Sequence, residues 1–539
     1  MRPFLTLHHP AHTQAYYAEG LWQKDTLYSL LRDHATRTPE APALQDGRVR
    51  LNWRDLLEWV NGVASDLHGK EISGGSRVSM WFGNRAEAVV LLLACARNGI
   101  ACNPSLHRTY TCREIVQLLE RLDAKALLTE PGWGADGRPG EIPSALWRVP
   151  SLKRIYTPED FPAPRTAPNP ASEDPDKVVY LAFTSGTTGD PKCVMHSDNT
   201  LLANARDMVR DWGHGPKTRL LSLSPLSHHI AWVGVAQWLL AGCTFITDDP
   251  PSGVSRLDWI SETGATYVMG VPTHAMDMLA EQQNRGLSRL GEVAVFYMAG
   301  APIPPSVCEA FVQQGIKPQN IYGMTENSSH QYTYPSDDNR TITSTCGRGG
   351  KAYTIKLFQP GDDDREVPVG TVGQIGGRGA ALMLGYFGNQ AATESSFNRE
   401  GWFLSGDLGV LDENGNLLIE GRLKDMIIRG GHNIYPAHIE ALALRHPNIE
   451  RVACYPVADE RLGERVCIAL IGDIDPEALL THLAEQGLSK YDMPEYFLRV
   501  DVFPLTASGK ILKRELVEMT KKGALKPIPV RWAAHTKAG

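Results

Sequence analysis

A multidomain α/β protein is the fold class this sequence predicts: a large N-terminal domain of layered α/β subdomains, followed by a small α+β C-terminal domain. Three observations lead there. Short apolar strands alternate with helix-period segments from about residue 26 to residue 326, the pattern of strand–helix units in layered sheets. The chain has 539 residues, more than one hydrophobic core ordinarily serves. Beyond residue 425 the pattern changes to a double-glycine loop, a helix and two alternating strands. The predicted boundary separates 1–423 from 424–539.

The elements follow in order. TLYSLLRDHATRTPEAPAL (26–44) has helical spacing, and Pro39 and Pro42 end it. RVSMWFG (77–83) is a strand and the apolar stretch 85–98 a helix closed by Gly99. Residues 157–176, rich in proline and acid, form an exposed connector. VVYLAF (178–183) is a buried strand, and LLSLSPLSHH (220–229) runs from strand into loop. TYVMGVPTHAMDMLAEQQ (266–283) reads as strand, turn and helix. EVAVFYMAGAPIPPSVCEAFVQQG (292–315) repeats that order, with prolines opening its helix and Gly315 past its end. NIYGMTE (320–326) passes from strand into loop. Polar residues recur just beyond strand ends, where open α/β sheets bind ligands.

Asn414-Gly415 lies between two strand-like runs in GWFLSGDLGVLDENGNLLIEGRLKD (401–425), which predicts a hairpin with a two-residue turn. That register sets Asp407 opposite Arg422 at the hairpin's open end. Past it, DMIIRGGHNIYPAHIEALALRHP (425–447) gives strand, loop and helix, and RVACYPV and RVCIALIG are strands.

Composition narrows the function classes. With 42% hydrophobic and 21% charged residues, the chain is an ordinary globular one. A net charge of −7 argues against a nucleic-acid partner. Nine cysteines without a Cys-x-x-Cys pair fit a reducing cytoplasm. The N-terminus lacks a signal-peptide apolar core, and the longest apolar run, AVVLLLACA (88–96), is far short of a membrane span.

The stretch TSGTTGDPK (184–192) is a phosphate-binding candidate. Thr184, Ser185, Gly186, Thr187, Thr188 and Gly189 offer hydroxyls and backbone N–H groups, and Lys192 adds a point charge. The glycine spacing is not that of a P-loop, which requires four residues between its glycines and a lysine directly after the second.

Five stretches recur in order: TSGTTGDPK, YGMTE (322–326), GWFLSGDLG (401–409), GRLKD (421–425) and ASGKILKREL (507–516). Together they resemble the adenylate-forming superfamily of acyl-CoA synthetases, firefly luciferases and nonribosomal-peptide adenylation domains, over nearly the whole chain. The resemblance implies ATP, Mg²⁺ and coenzyme A as reactants and cofactors. It implies that the 184–192 loop closes on the β- and γ-phosphates. It implies that Tyr322 and Gly323 help hold the nucleotide, that Thr325 lies at the α-phosphate, and that Glu326 binds the metal. Gly300, Ala301 and Pro302 match the turn that cradles adenine. Asp407 with Arg422 would meet the ribose, and Lys510 would hold the attacking carboxylate and the α-phosphoryl oxygens. Lys424 matches a hinge that makes the small domain mobile. Gly431 admits the pantetheine arm, since glycine has no Cβ to obstruct it. His228 matches the residue beside the acyl carboxylate.

The implied reaction joins a small-molecule carboxylic acid to ATP as acyl-AMP, releasing pyrophosphate, and then transfers the acyl group to the thiol of CoA. His229, Trp232, Met298 and Asn327 are expected to line the acyl pocket. Trp232 and Met298 favour an apolar aromatic, alicyclic or short- to medium-chain acid. His229 stands where amino-acid-activating members carry Asp, which makes an amino acid an unfit substrate. Two alternatives stay open: an adenylating enzyme that loads a carrier protein, and a non-catalytic nucleotide-binding relative. Both a monomer and a homodimer are compatible with the sequence.

Overall fold

A computed structural model describes residues 10–184, 191–301, 303–505 and 511–532, and burial pattern and capping account for many of its elements. The chain forms two compact units. One takes in the described residues of Met1–Thr354 and Arg378–Phe397, the other those of Ile355–Gly377 and Asn398–Gly539. Position 424 lies inside the second unit.

The first unit carries two sheets. One runs, in spatial order, Ser328–Tyr332, Lys317–Met324, Val295–Met298, Tyr267–Gly270, Arg219–Ser222, Thr244–Thr247, Pro42–Gln45 and Arg50–Asn52. Its six inner strands are parallel and its two outer pairs antiparallel. The other sheet runs Arg154–Tyr156, Ala126–Thr129, Arg77–Trp81, Ala101–Asn103, Val178–Thr184 and Lys192–Ser197. Parallel strands are covered on both faces, and Arg77–Trp81 is accordingly buried at all five positions. Helix Ala86–Arg97 is buried along its whole length. It shares the main core with Trp53 and Trp238, whose rings stack at 5.2 Å and 14°.

Three pairings at this level go beyond what the spacing predicts. The motif at 322–326 does leave its strand after Met324, but into a turn of only three residues. Strand Lys317–Met324 turns back at once into Ser328–Tyr332, antiparallel. Likewise Val178–Thr184 and Lys192–Ser197 pair antiparallel, with Thr184 opposite Lys192. The next helix opens only at Asp198, where Ser197 and Thr200 form a capping box. In the second unit, Ile427–Arg429 and His432–Ile434 make a hairpin across Gly430 and Gly431. Both glycines have positive φ, 59° and 86°, as a type I′ turn demands.

The 401–425 hairpin holds a subtler correction. Leu411 pairs with Leu417, and the Asp412 N–H donates to the Asn416 carbonyl at 3.0 Å. Three residues therefore turn the chain, not two, with Gly415 at φ 79°. A β-bulge between Leu408 and Gly409 then restores the lost residue, and Asp407 does stand opposite Arg422. The rest of the second unit's described residues add the hairpin Ile449–Asp459 with Gly463–Gly472, and helices over Pro436–Ala443, Pro476–Glu485 and Lys513–Lys521. The molecule is thus an α/β protein with a large N-terminal α/β domain and a small C-terminal domain of mixed sheet and helix.

Candidate active site

The turn between Met324 and Ser328 is tight because its surroundings fix it. The Met324 N–H donates to Asn327 Oδ1 at 3.0 Å, and Asn327 Nδ2 donates to the Tyr353 hydroxyl at 3.2 Å. Ser328 takes φ 57°, a left-handed backbone that costs a non-glycine residue about 1 kcal/mol or more. Gly323 stands opposite, where a Cβ would lie 1.8 Å from the Ser328 carbonyl oxygen. No other residue type fits that backbone. Tyr322, largely buried, meets the His330 ring edge-on at 5.3 Å.

Glu326 is buried, at 8% exposure. The Tyr386 hydroxyl donates to its Oε1 at 2.9 Å, and the Lys192 ammonium lies 4.6 Å from the centroid of the same Tyr386 ring. One aromatic side chain thereby joins the lysine of the first motif to the carboxylate of the second. Burial, then the nearby Glu326 charge, push the Tyr386 phenol well above its ordinary range, so it acts as a neutral donor. A buried carboxylate oxygen is the hard ligand that Mg²⁺ takes while keeping waters and phosphate oxygens in its other positions. The chemistry of Glu326 fits that ion.

Thr325 is fixed through its backbone: His196 Nε2 lies 2.6 Å from its carbonyl oxygen. His228 is the residue before helix His229–Ala241, and its ring lies 4.4 Å from that of His107. His107 is held by Ser227 Oγ at 3.0 Å, and burial, with His228 beside it, brings its pKa down to about 3. His229 points the other way, to the Tyr180 hydroxyl at 3.2 Å and Ser328 Oγ at 3.1 Å.

The remaining expected residues separate into groups. Trp232 is buried in the main core, with its indole N–H on the Leu226 carbonyl at 2.6 Å. Met298 is fully buried in a second core with Phe296 and Phe311. Gly300 and Ala301 are exposed beyond strand Val295–Met298. Gly300 has φ 90°, and a Cβ there would face Ile230 and Val271 at 3.7 Å. Ile230 and Val271, half-buried, are thus neighbours of this turn that the sequence did not single out. In the second unit, Arg422 Nε lies 3.4 Å from Asp407 Oδ1, and the Asp407 N–H donates to Ser405 Oγ at 3.0 Å. Lys424 is exposed in a short 3₁₀ turn, and Gly431 has no atom within 4 Å of a would-be Cβ. Ser185, Gly186, Thr187, Thr188, Gly189, Pro302 and Lys510 lie outside the described residues.

Known proteins resemble this chain in sequence and fold. A family model described as AMP-binding enzyme matches residues 31–387, and one for the AMP-binding enzyme C-terminal domain matches 438–510. The chain belongs to the AMP-binding enzyme family. It is an adenylate-forming enzyme of the acyl-CoA synthetase group. Among its relatives is a medium-chain fatty-acid–CoA ligase of Escherichia coli (strain K12), 29% identical over 93% of this chain and 91% of that protein. Two solved structures are similar in fold. The o-succinylbenzoate CoA synthetase of Bacillus subtilis, in complex with its acyl-adenylate intermediate, has a TM-score of 0.81 and 25% identity, covering 91% of this chain and 98% of that one. ATP-bound MatB from Rhodopseudomonas palustris has a TM-score of 0.81 and 26% identity, covering 92% and 99%. Among the described residues, no helix is long and apolar enough to cross a membrane.

Proposed function

We propose that this AMP-binding enzyme is an ATP-dependent carboxylate–CoA ligase working through acyl-AMP. The observation that carries the reading is the contact of Lys192 and Glu326 with the single ring of Tyr386. It joins a cation suited to the departing pyrophosphate with a carboxylate suited to Mg²⁺. The acid's carboxylate attacks the α-phosphorus and pyrophosphate leaves; the CoA thiol then attacks the acyl carbon and AMP leaves. Bound Mg²⁺ would neutralise phosphate charge during the first step.

The chain's own residues supply position and charge rather than covalent chemistry. Thr325 lies at the α-phosphate, Lys510 holds the carboxylate against it, and Asp407 accepts the ribose hydroxyls with Arg422 beside it. Gly300, with Ala301 and Pro302, borders the adenine, and His228 adjoins the acyl carboxylate. Residues 424–539 act as a small domain that turns about Lys424 between the two steps, bringing Gly431 to the pantetheine arm in the second. Ile230 and Val271 beside Gly300 give the acyl side an apolar wall, which suits a medium-chain or aromatic acid. The fatty-acid specificity of the E. coli relative agrees.

Pyrophosphate release across a panel of aromatic, alicyclic and short- to medium-chain acids, with and without CoA, tests this. Acid-dependent release, with thioester formed only when CoA is present, is expected. No release with any acid would refute the ligase reading. Thioester on a phosphopantetheinyl protein but not on CoA would favour carrier loading instead.

A further inference from the structure

His196 and His229 meet face to face, their rings 5.4 Å apart at 19°. Each reaches a different end of the turn that carries Thr325 and Glu326. His196 Nε2 lies 2.6 Å from the Thr325 carbonyl oxygen, and His229 Nε2 lies 3.1 Å from Ser328 Oγ. The outer nitrogens are anchored as well: His196 Nδ1 at 3.0 Å from Thr200 Oγ1, and His229 Nδ1 at 3.2 Å from the Tyr180 hydroxyl. A carbonyl only accepts, so His196 carries its proton on Nε2 and donates it. Nδ1 faces the Thr200 hydroxyl, whose own place is set by the capping box with Ser197. Burial, with His196 alongside, holds His229 neutral.

We propose that His196 and His229 are positioning residues, a stacked imidazole pair that pins both ends of the 325–328 turn. They do so for the adenylation step only, and the proposal rests on the acyl-AMP reading above. The turn needs such support. Ser328 sits in a left-handed conformation, which persists only where neighbours over-determine it. The Thr325 carbonyl and the Ser328 hydroxyl are the two handles by which the rings reach it. Misplacing reacting groups by about 1 Å costs about a hundredfold in rate, so losing one handle affects kcat before it affects binding. The pair also ties the turn to the start of helix His229–Ala241, where His228 stands.

The test uses the full chain and the acid that gives wild type its fastest pyrophosphate release. His196→Phe keeps a flat ring against His229 but removes the donor to Thr325. His196→Gln keeps an amide N–H able to reach that carbonyl. The phenylalanine variant should lose about ten- to a hundredfold in kcat for acyl-AMP formation, with KM for ATP within about threefold of wild type. Conversion of supplied acyl-AMP and CoA to thioester should stay within about twofold, and the glutamine variant should recover most of the lost rate. An unchanged kcat for His196→Phe, or an equal loss in both half-reactions, would overturn the proposal. Where His196→Phe is not recovered folded, His196→Gln decides alone. Adenylation within about threefold of wild type sustains the proposal, and a hundredfold loss overturns it. Absence of pyrophosphate release by wild type with every acid is a separate result, and it strikes the ligase reading instead.

Discussion

Tyr386 and Glu326, sixty positions apart, meet through a 2.9 Å hydrogen bond, and the same Tyr386 ring lies under the Lys192 ammonium. Tyr386 therefore has two separable jobs. Tyr386→Phe removes only the hydroxyl. A lost hydrogen bond to a charged group is worth about 1.5–3 kcal/mol, so the Mg²⁺ concentration for half-maximal pyrophosphate release should rise about tenfold or more. Tyr386→Leu removes the ring as well and should also raise KM for ATP. Identical Mg²⁺ titrations for wild type and Tyr386→Phe would show that the bond does not orient Glu326.

The two motif lysines should differ in weight. In the proposed function Lys192 attends the leaving group, whereas Lys510 holds the reacting carboxylate and α-phosphate. Lys510→Ala should abolish acyl-AMP formation while sparing thioester formation from supplied acyl-AMP; Lys192→Ala should weaken adenylation less. Single-turnover pyrophosphate release ranks them, and the reverse order would mean the assignments are exchanged.

Asp407 is mostly shielded and Arg422 partly exposed, at 13% and 40%. Ion pairs of that exposure contribute about 0–1 kcal/mol to stability. Asp407→Asn should thus leave the melting temperature nearly unchanged and raise KM for ATP about tenfold or more, because in the proposed function its carboxylate accepts the ribose hydroxyls. A melting temperature that collapses with KM intact would make the residue structural.

Gly323→Ala places a methyl 1.8 Å from the Ser328 carbonyl oxygen, and only backbone movement relieves that. Overpacking of this kind costs about 1–3 kcal/mol. The displaced turn carries Thr325 and Glu326, so adenylation should fall about a hundredfold even where circular dichroism shows folded protein. Near-normal adenylation would mean the turn can shift freely.

Burial lowers several histidines of the first unit, among them His107 and His330 to about 3 and His214 and His274 to about 4. Each binds its proton more readily in the unfolded chain, at an ordinary pKa near 6.5. Stability is thus full above about pH 6.5 and falls as pH drops toward 4, by up to about 1.4 kcal/mol per pH unit for each such group. Urea midpoints at pH 7.5, 6 and 5 should decline in that order; a flat profile down to pH 5 would contradict the burial of these rings.

The motifs and the alternating strand–helix pattern were legible in the sequence because each is local: spacing and apolar period are properties of neighbouring residues. Tyr386, His196 and His107 were not. Each belongs to no motif and acquires its place through a partner 60 to 130 positions away. The hairpin at Met324–Ser328 was missed because its second strand, Ser328 to Tyr332, is largely polar in sequence yet buried at every position. A pattern rule expects apolar residues there. At Asp407 the pairing was right although the turn was one residue longer than expected, since the bulge at Leu408–Gly409 offsets it.

That offset has an evolutionary consequence. Side chains along a strand alternate faces, and a slip of one residue sends every one of them to the other side. Dropping a residue from the 413–415 turn alone would put the partner strand out of phase from Leu417 to Arg422, carrying Arg422 away from Asp407. Turn length and bulge therefore behave as one inherited trait, and insertions or deletions at the hairpin's tip should survive among related chains only in compensated pairs.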